Sequence, residues 1–130
     1  MKTNTITIVP RYSETDQGGV VHHSVFAVYF EMGRTELLRA NGMAYRDMEA
    51  SGVYFVVADL KIKYLRPARY DEKLTLQTTR SAVRSCSIEH TYRLSRDGQV
   101  LAEGSSVLAC VDAEGRIRRL PGELAVPQRP

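Results

Sequence analysis

Between Ser24 and Asn41-Gly42 the chain carries a broad apolar stripe: Phe26, Phe30, Gly33 and Leu37 recur at helical spacing, with Val25, Tyr29 and Met32 beside them. That spacing predicts a long helix over residues 25–40 that is apolar on most of its circumference. Such a helix must be covered on several sides, so it is central rather than superficial. Ser24 stands where an N-cap hydroxyl would meet a free amide, and Asn41-Gly42 is a C-terminal stop. Gly33 inside the stripe costs about 1 kcal/mol against alanine. A close approach of helix to sheet would justify that cost. Glu31 and Arg34 fall off the stripe and are spaced as an ion pair.

What can cover the helix is written on either side of it. Thr3 to Val9 alternates threonines against Asn4, Ile6 and Ile8, a period of two with β-branched residues. After the helix, Ala44 to Ser51 reads as a short second helix ended by Gly52. Strand patterns follow: Val53 to Leu65; Leu74, Leu76 and Thr78; Ile88, His90, Tyr92 and Leu94; and Val100 to Val111. Arg96-Asp97-Gly98 carries the Asp-Gly hairpin signal. The order is strand, long helix, then four consecutive strands. Consecutive strands on short turns pair antiparallel. The expected fold class is therefore α+β, a five-stranded antiparallel sheet wrapped around one helix, as one domain over residues 1–130 with an irregular tail at 121–130. A single sheet leaves an unpaired edge, so association into a homo-oligomer is expected.

The charge balance is mild, +3 from 18 basic and 15 acidic side chains. The arginines are scattered, Trp is absent, and no run interleaves basic with aromatic residues, so nucleic acid is not an expected partner. No stretch approaches a membrane span, and Met1 to Pro10 lacks the apolar run of a signal peptide, so the expected site is the cytoplasm without integral membrane association. The two cysteines, Cys86 and Cys110, lack metal-type spacing and read as buried free thiols.

The segment from Arg11 to Ser24 packs an acid, two glycines and two histidines between the first strand and the helix. The plain reading of Thr15-Asp16-Gln17-Gly18-Gly19 is a turn, because Asp and Gly are ordinary turn residues. The chemical reading is half an active site. A carboxylate just before a helix N-terminus lies near unpaired N–H groups, which stabilise developing oxyanions.

Two blocks carry a family resemblance. Arg11-Tyr12-x-Glu14-Thr15-Asp16-x-x-Gly19-Val20-Val21-x-His23, followed by Tyr29-Phe30-Glu31-x-x-Arg34-Thr35-Glu36, is the first. Val56-Val57 with Tyr64-Leu65-Arg66-Pro67-Ala68-Arg69-Tyr70-Asp71-Glu72 is the second. Together they resemble the 4-hydroxybenzoyl-CoA thioesterase family, the hotdog-fold group that includes acyl-CoA thioesterases associated with the bacterial Tol-Pal system. The resemblance runs from about Ile6 to Leu120.

It implies hydrolysis of an acyl-coenzyme A thioester without metal or organic cofactor, coenzyme A being part of the substrate. It implies Asp16 as nucleophile or general base, and the His23 amide as oxyanion donor. It implies dimers or dimers of dimers with sites at subunit junctions. Gly19 and Val20 would contact substrate beside them, and the His23 imidazole is the side chain best placed to orient water or substrate. Tyr54, Phe55 and Val56 are the candidate acyl-pocket lining. Arg80, Arg84 and Ser85, around the break between two strands, stand where relatives place nucleotide contacts. One departure is His22, where many relatives carry Tyr. Two rivals stay open on the same residues: a hydratase or dehydratase of acyl thioesters, using His23 with Asp16 or Glu31, and a catalytically silent acyl-CoA-binding module.

Overall fold

The computed structural model describes residues 1–125. Strand β1 (Thr3–Ile8) leads through a single 3-10 turn (Tyr12–Glu14) and a loop to helix α1 (Val25–Ala40). A short α2 (Tyr45–Ala50) follows, then β2 (Tyr54–Tyr64), β3 (Leu74–Val83), β4 (Ser87–Arg96), β5 (Gln99–Val111) and a turn of helix α3 (Gly122–Ala125). The strands form one antiparallel sheet in the order β1-β3-β4-β5-β2. The sheet wraps α1, which is the hotdog arrangement. The chain folds this way because its apolar periods match on both partners. β3 turns Leu74, Leu76 and Thr78 inward, β4 turns Ile88, His90, Tyr92 and Leu94 inward, and α1 meets them with Phe26, Tyr29, Phe30 and Leu37. Phe30 is fully buried and stacks parallel on Tyr92 at 4.3 Å between ring centres. Burying one such side chain is worth about 1.5–3 kcal/mol.

Gly33 earns its place by contact. A Cβ built there would lie 2.7 Å from Leu76 Cδ2 and overlap Thr78 Oγ1. The helix approaches β3 too closely for any side chain, as its cost in helix propensity suggested. At the β4–β5 hairpin, Asp97 (φ 50°) and Gly98 (φ 79°) are both left-handed. That is the geometry of the hairpin turn that selects Asp-Gly. Glu31 and Arg34 form their expected ion pair at 3.8 Å. Cys86 and Cys110 are free thiols. The register sets them across from one another, one step beyond Ser87 and Ala109.

Three local expectations are corrected. Ser24 does not cap α1 with its hydroxyl. It already has helical dihedrals, φ −67° and ψ −22°, and its Oγ shares a 2.8 Å hydrogen bond with His22 Nδ1. The first turn begins earlier, where Val25 N–H donates to His22 C=O at 3.0 Å. The tail is not irregular throughout. Gly122–Ala125 is helical because Leu124, 1% exposed, anchors it in a second apolar cluster with Leu38, Val53, Ile88, Cys110 and Leu120. Residues 126–130 of that tail lie outside the described residues. Arg80 is not at the strand break. It sits inside β3 opposite His90 and is 7% exposed.

The buried polar layer around His90 has a measurable consequence. Burial pushes the His90 imidazole down to about 4, helped by the nearby charges of Arg34 and Arg80. Its Nδ1 has no hydrogen-bond partner among the described residues. The unfolded chain, with an ordinary histidine near 6.5, binds more protons between these two values. Stability is therefore lost as pH falls from about 6.5 toward 4, by roughly 3 kcal/mol in total at 1.36 kcal/mol per pH unit. Urea titrations at pH 7 and pH 4.5 should show this loss, and His90→Gln should flatten it. An unchanged pH slope in His90→Gln would remove His90 as the source.

Candidate active site

The loop between β1 and α1 is closed by main-chain bonds before any side chain is considered. Thr15 bridges Val21, and Val20 bridges Arg69 in the segment after β2. Within the closure, Asp16 N–H donates to Val20 C=O at 2.8 Å and Gly19 N–H returns to Asp16 C=O at 3.0 Å. Gly19 has φ +80°, which a residue with a Cβ resists. Asp16 Oδ1 accepts the Gly18 N–H at 2.8 Å and the Val20 N–H at 3.4 Å. Its Oδ2 has no partner among the described residues. The turn reading and the chemical reading are thus both satisfied: one carboxylate oxygen builds the turn and the other is left over.

The amides at the start of α1 are distributed in a similar way. Val21 N–H donates to Ala68 C=O, His22 N–H to Glu14 C=O and Val25 N–H to His22 C=O. Ser24 N–H donates to His22 Nδ1 at 3.2 Å. His23 N–H alone of these five has no acceptor among the described residues. Because its peptide is trans, it points opposite to the His22 carbonyl, which faces the helix. It therefore points out from the helix start, at the positive end of the helix dipole. Tyr64, at the end of β2, donates its hydroxyl to His23 C=O at 2.7 Å and so ties this segment to the sheet. The His22 and His23 rings lie against each other, 4.2 Å between centres.

Asp16, Val20 and His23 line one open cleft of about 380 Å³, walled by Phe26, Tyr64 and Pro67. The expected residues Asp16, Val20 and His23 are thus brought together, and Gly19 stands beside them in the loop without lining the cleft. The others are not, within one chain. Tyr54, Phe55 and Val56 stand at the opposite end of β2, an 11-residue strand that spans roughly 35 Å at about 3.3 Å per residue. Phe55 lines a separate cavity of about 300 Å³ with Glu31, Arg34 and Tyr45. Arg84 lies in the β3–β4 turn, its Nε donating to Glu89 at 2.6 Å, and Ser85 C=O accepts the Leu120 N–H. Ala109 pairs with both Val56 and Ser87, so these residues share that far end of the sheet. Arg80, buried in β3, faces neither the cleft nor solvent.

Sequence reasoning missed Glu14 and Tyr29. Tyr29, 1% exposed on α1, donates its hydroxyl to Glu14 Oε1 at 2.8 Å. The same Oε1 accepts the Arg11 N–H at 2.8 Å. Burial pushes the Glu14 carboxyl up, but the Arg11 amide, the Tyr29 hydroxyl and the Arg11 charge outweigh it and hold it below 4.5. The i,i+3 spacing of Arg11 and Glu14 was a visible signal for a local turn, though not for the tie to Tyr29.

The sequence profile of the thioesterase-like superfamily matches residues 10–127. The chain belongs to this superfamily. The acyl-CoA thioester hydrolase YbgC of Escherichia coli O6:H1 is 35% identical to this chain over 102 residues, covering 78% of this chain and 76% of the relative. The putative acyl-CoA thioesterase YneP of Bacillus subtilis is 35% identical over 105 residues, covering 80% and 76%. The crystal structure of a DHNA-CoA thioesterase from Staphylococcus aureus superposes with a TM-score of 0.89 at 30% identity, covering 92% of this chain and 82% of that one. Superfamily membership and the sheet-around-helix fold agree with each other and with the two sequence blocks.

Proposed function

We propose that this chain is a thioester hydrolase that converts an acyl-coenzyme A to the free acid and coenzyme A at the Asp16–His23 cleft. The observation that carries the reading is that two residues lining the cleft each keep an uncommitted group among the described residues, Asp16 Oδ2 and the His23 N–H, while Asp16 Oδ1 and the N–H groups of Val21, His22, Ser24 and Val25 are engaged. A thioester hydrolase needs these two groups: an oxygen that attacks or activates water, and a donor for the charge on the carbonyl oxygen. In the direct route Oδ2 attacks the thioester carbon, the His23 N–H receives the oxyanion, and coenzyme A leaves as thiolate. Water then hydrolyses the mixed anhydride and restores the carboxylate. In the general-base route the carboxylate takes a proton from water as that water attacks. Neither route needs a metal or organic cofactor, and the exposed His23 imidazole can orient the water. The names of the relatives support the acyl-CoA class. A thiol-release screen across aliphatic and aromatic acyl-CoAs tests it; absence of release from every substrate would overturn it.

The working unit in this reading is a homo-oligomer, most simply a dimer of dimers. β2 is an edge strand, paired among the described residues only with β5, and it exposes Val56, Val57, Leu60 and Tyr64, each between 39% and 49%. Long apolar edges are templates for pairing. Antiparallel pairing of β2 with β2 of a second copy would lay the Tyr54–Val56 end of one chain beside the Tyr64 end of the other. The two groups of expected residues would then meet at the junction, acyl contacts and the Arg84–Ser85 turn included. Light scattering at micromolar concentration should give a multiple of the chain mass. A fully active monomer would sink this assembly.

A further inference from the structure

Glu14 touches both halves of the cleft without lining it. Its side chain reaches α1, where Tyr29 donates to Oε1 at 2.8 Å. Its carbonyl accepts the His22 N–H at 2.9 Å. Asp16 follows it by two residues, and the His23 amide follows His22 by one. The path from the free carboxylate oxygen to the free amide therefore runs through Glu14 on one side and through the His22 amide on the other. Tyr29 belongs to the buried face of α1, so it is a fixed point. Arg11 closes the other side of the carboxylate, through its N–H to Oε1 at 2.8 Å and its guanidinium to Oε2 at 3.3 Å. Glu14 is thus held by three groups while its own chain holds the loop.

We propose that Glu14 and Tyr29 are positioning residues: their hydrogen bond sets the spacing between the Asp16 carboxylate and the His23 amide. The inference rests on the reading of the cleft as a thioester-hydrolysing site. A group that fixes two reacting partners acts on the chemical step, since a displacement of about 1 Å can cost on the order of 10²-fold in rate. It does not act on substrate affinity, because neither side chain lines the cleft. Tyr29→Phe removes one hydroxyl and keeps the packing of the ring. Glu14→Gln keeps an acceptor for the hydroxyl while removing the charge that Arg11 pairs with.

Tyr29→Phe should lower kcat about 10-fold or more with KM within two-fold of wild type, measured by thiol release well below the melting temperature. Glu14→Gln, which keeps the acceptor for the Tyr29 hydroxyl, should lose less of kcat than Tyr29→Phe. The double variant should fall no further than the worse single one, because the two residues act as one unit. Amide exchange gives a second readout that does not depend on activity. The His22 N–H should be protected in the wild type and should exchange faster in Tyr29→Phe. If Glu14→Gln fails to fold, Tyr29→Phe carries the comparison alone. Lower stability with wild-type kcat and an unchanged His22 exchange rate would overturn the proposal and leave the bond a purely structural one. A wild-type protein that releases no thiol, yet shows the change in His22 exchange, would overturn the functional reading and the catalytic role with it, while sparing the loop geometry.

Discussion

Gly33→Ala should destabilise the fold by about 2 kcal/mol, although alanine is the better helix former. Two terms compete. Helix propensity alone favours alanine by about 1 kcal/mol in a helix interior. Against it stands overpacking, which costs typically 1–3 kcal/mol and more where neighbours are rigid. The new methyl would meet Leu76, itself fully buried, and Thr78, 1% exposed, so neither can swing into solvent. Relief requires α1 to lift from β3, which would also loosen Tyr29 and Phe30. The second term should win, and Gly33→Leu should prevent folding. Urea midpoints of Gly33→Ala and wild type decide between the terms. A midpoint that rises by the propensity gain would mean that the contact of helix and sheet is slack.

The fold was legible because the inward positions of β3 and β4 alternate cleanly and because α1 is apolar on so broad a face. Period two and period 3.6 are both visible in a single sequence. What the sequence hid was not secondary structure but pairing over distance. Arg80 reads as a loop cation because arginine is rarely buried. Its place inside β3 follows from the inward alternation of Leu76 and Thr78, a pattern stronger than the residue's own preference. Tyr29 reads as one more member of the apolar stripe. That its hydroxyl meets Glu14 depends on the loop folding back over the helix start, which no local spacing encodes. Ser24 misleads for a related reason: the residue type suits a cap, but the turn had already begun at His22, whose ring takes the hydroxyl.

The candidate site was legible in its loop and not in its extent. Asp16, Gly19, Val20 and His23 lie within one short segment, so a motif and a turn suffice to bring them together. Tyr54, Phe55, Val56, Arg84 and Ser85 are separated from them by the length of β2. No single copy closes that distance. Antiparallel pairing of two edges would, which is why the oligomer and the acyl and nucleotide contacts stand or fall together in the proposed function.

Asp16→Asn should lower kcat at least about 10²-fold, the low end for a positioned acid or base. The substitution keeps Oδ1 as an acceptor for the Gly18 and Val20 amides, so the loop should hold. A side chain in this capping-like role is worth only about 0.5–2 kcal/mol, so folding should survive. KM should change little, since the proposed acyl and nucleotide contacts are elsewhere. Asp16→Ala should be equally inactive, which excludes slow deamidation of the asparagine as a source of residual rate. Single-turnover hydrolysis by the wild type in ¹⁸O-water then tests the anhydride route: label entering the Asp16 carboxylate indicates an anhydride opened at the Asp16 carbon, whereas label only in the acid product is shared by a general base and by an anhydride opened at the acyl carbon. The decisive measurement is the thiol-release rate of the two folded variants beside the wild type on the substrate that the wild type prefers. A loss of at least about 10²-fold in both, with KM preserved, is the expected result; hydrolysis within a few-fold of wild type would contradict the assignment and leave Asp16 as a turn residue only.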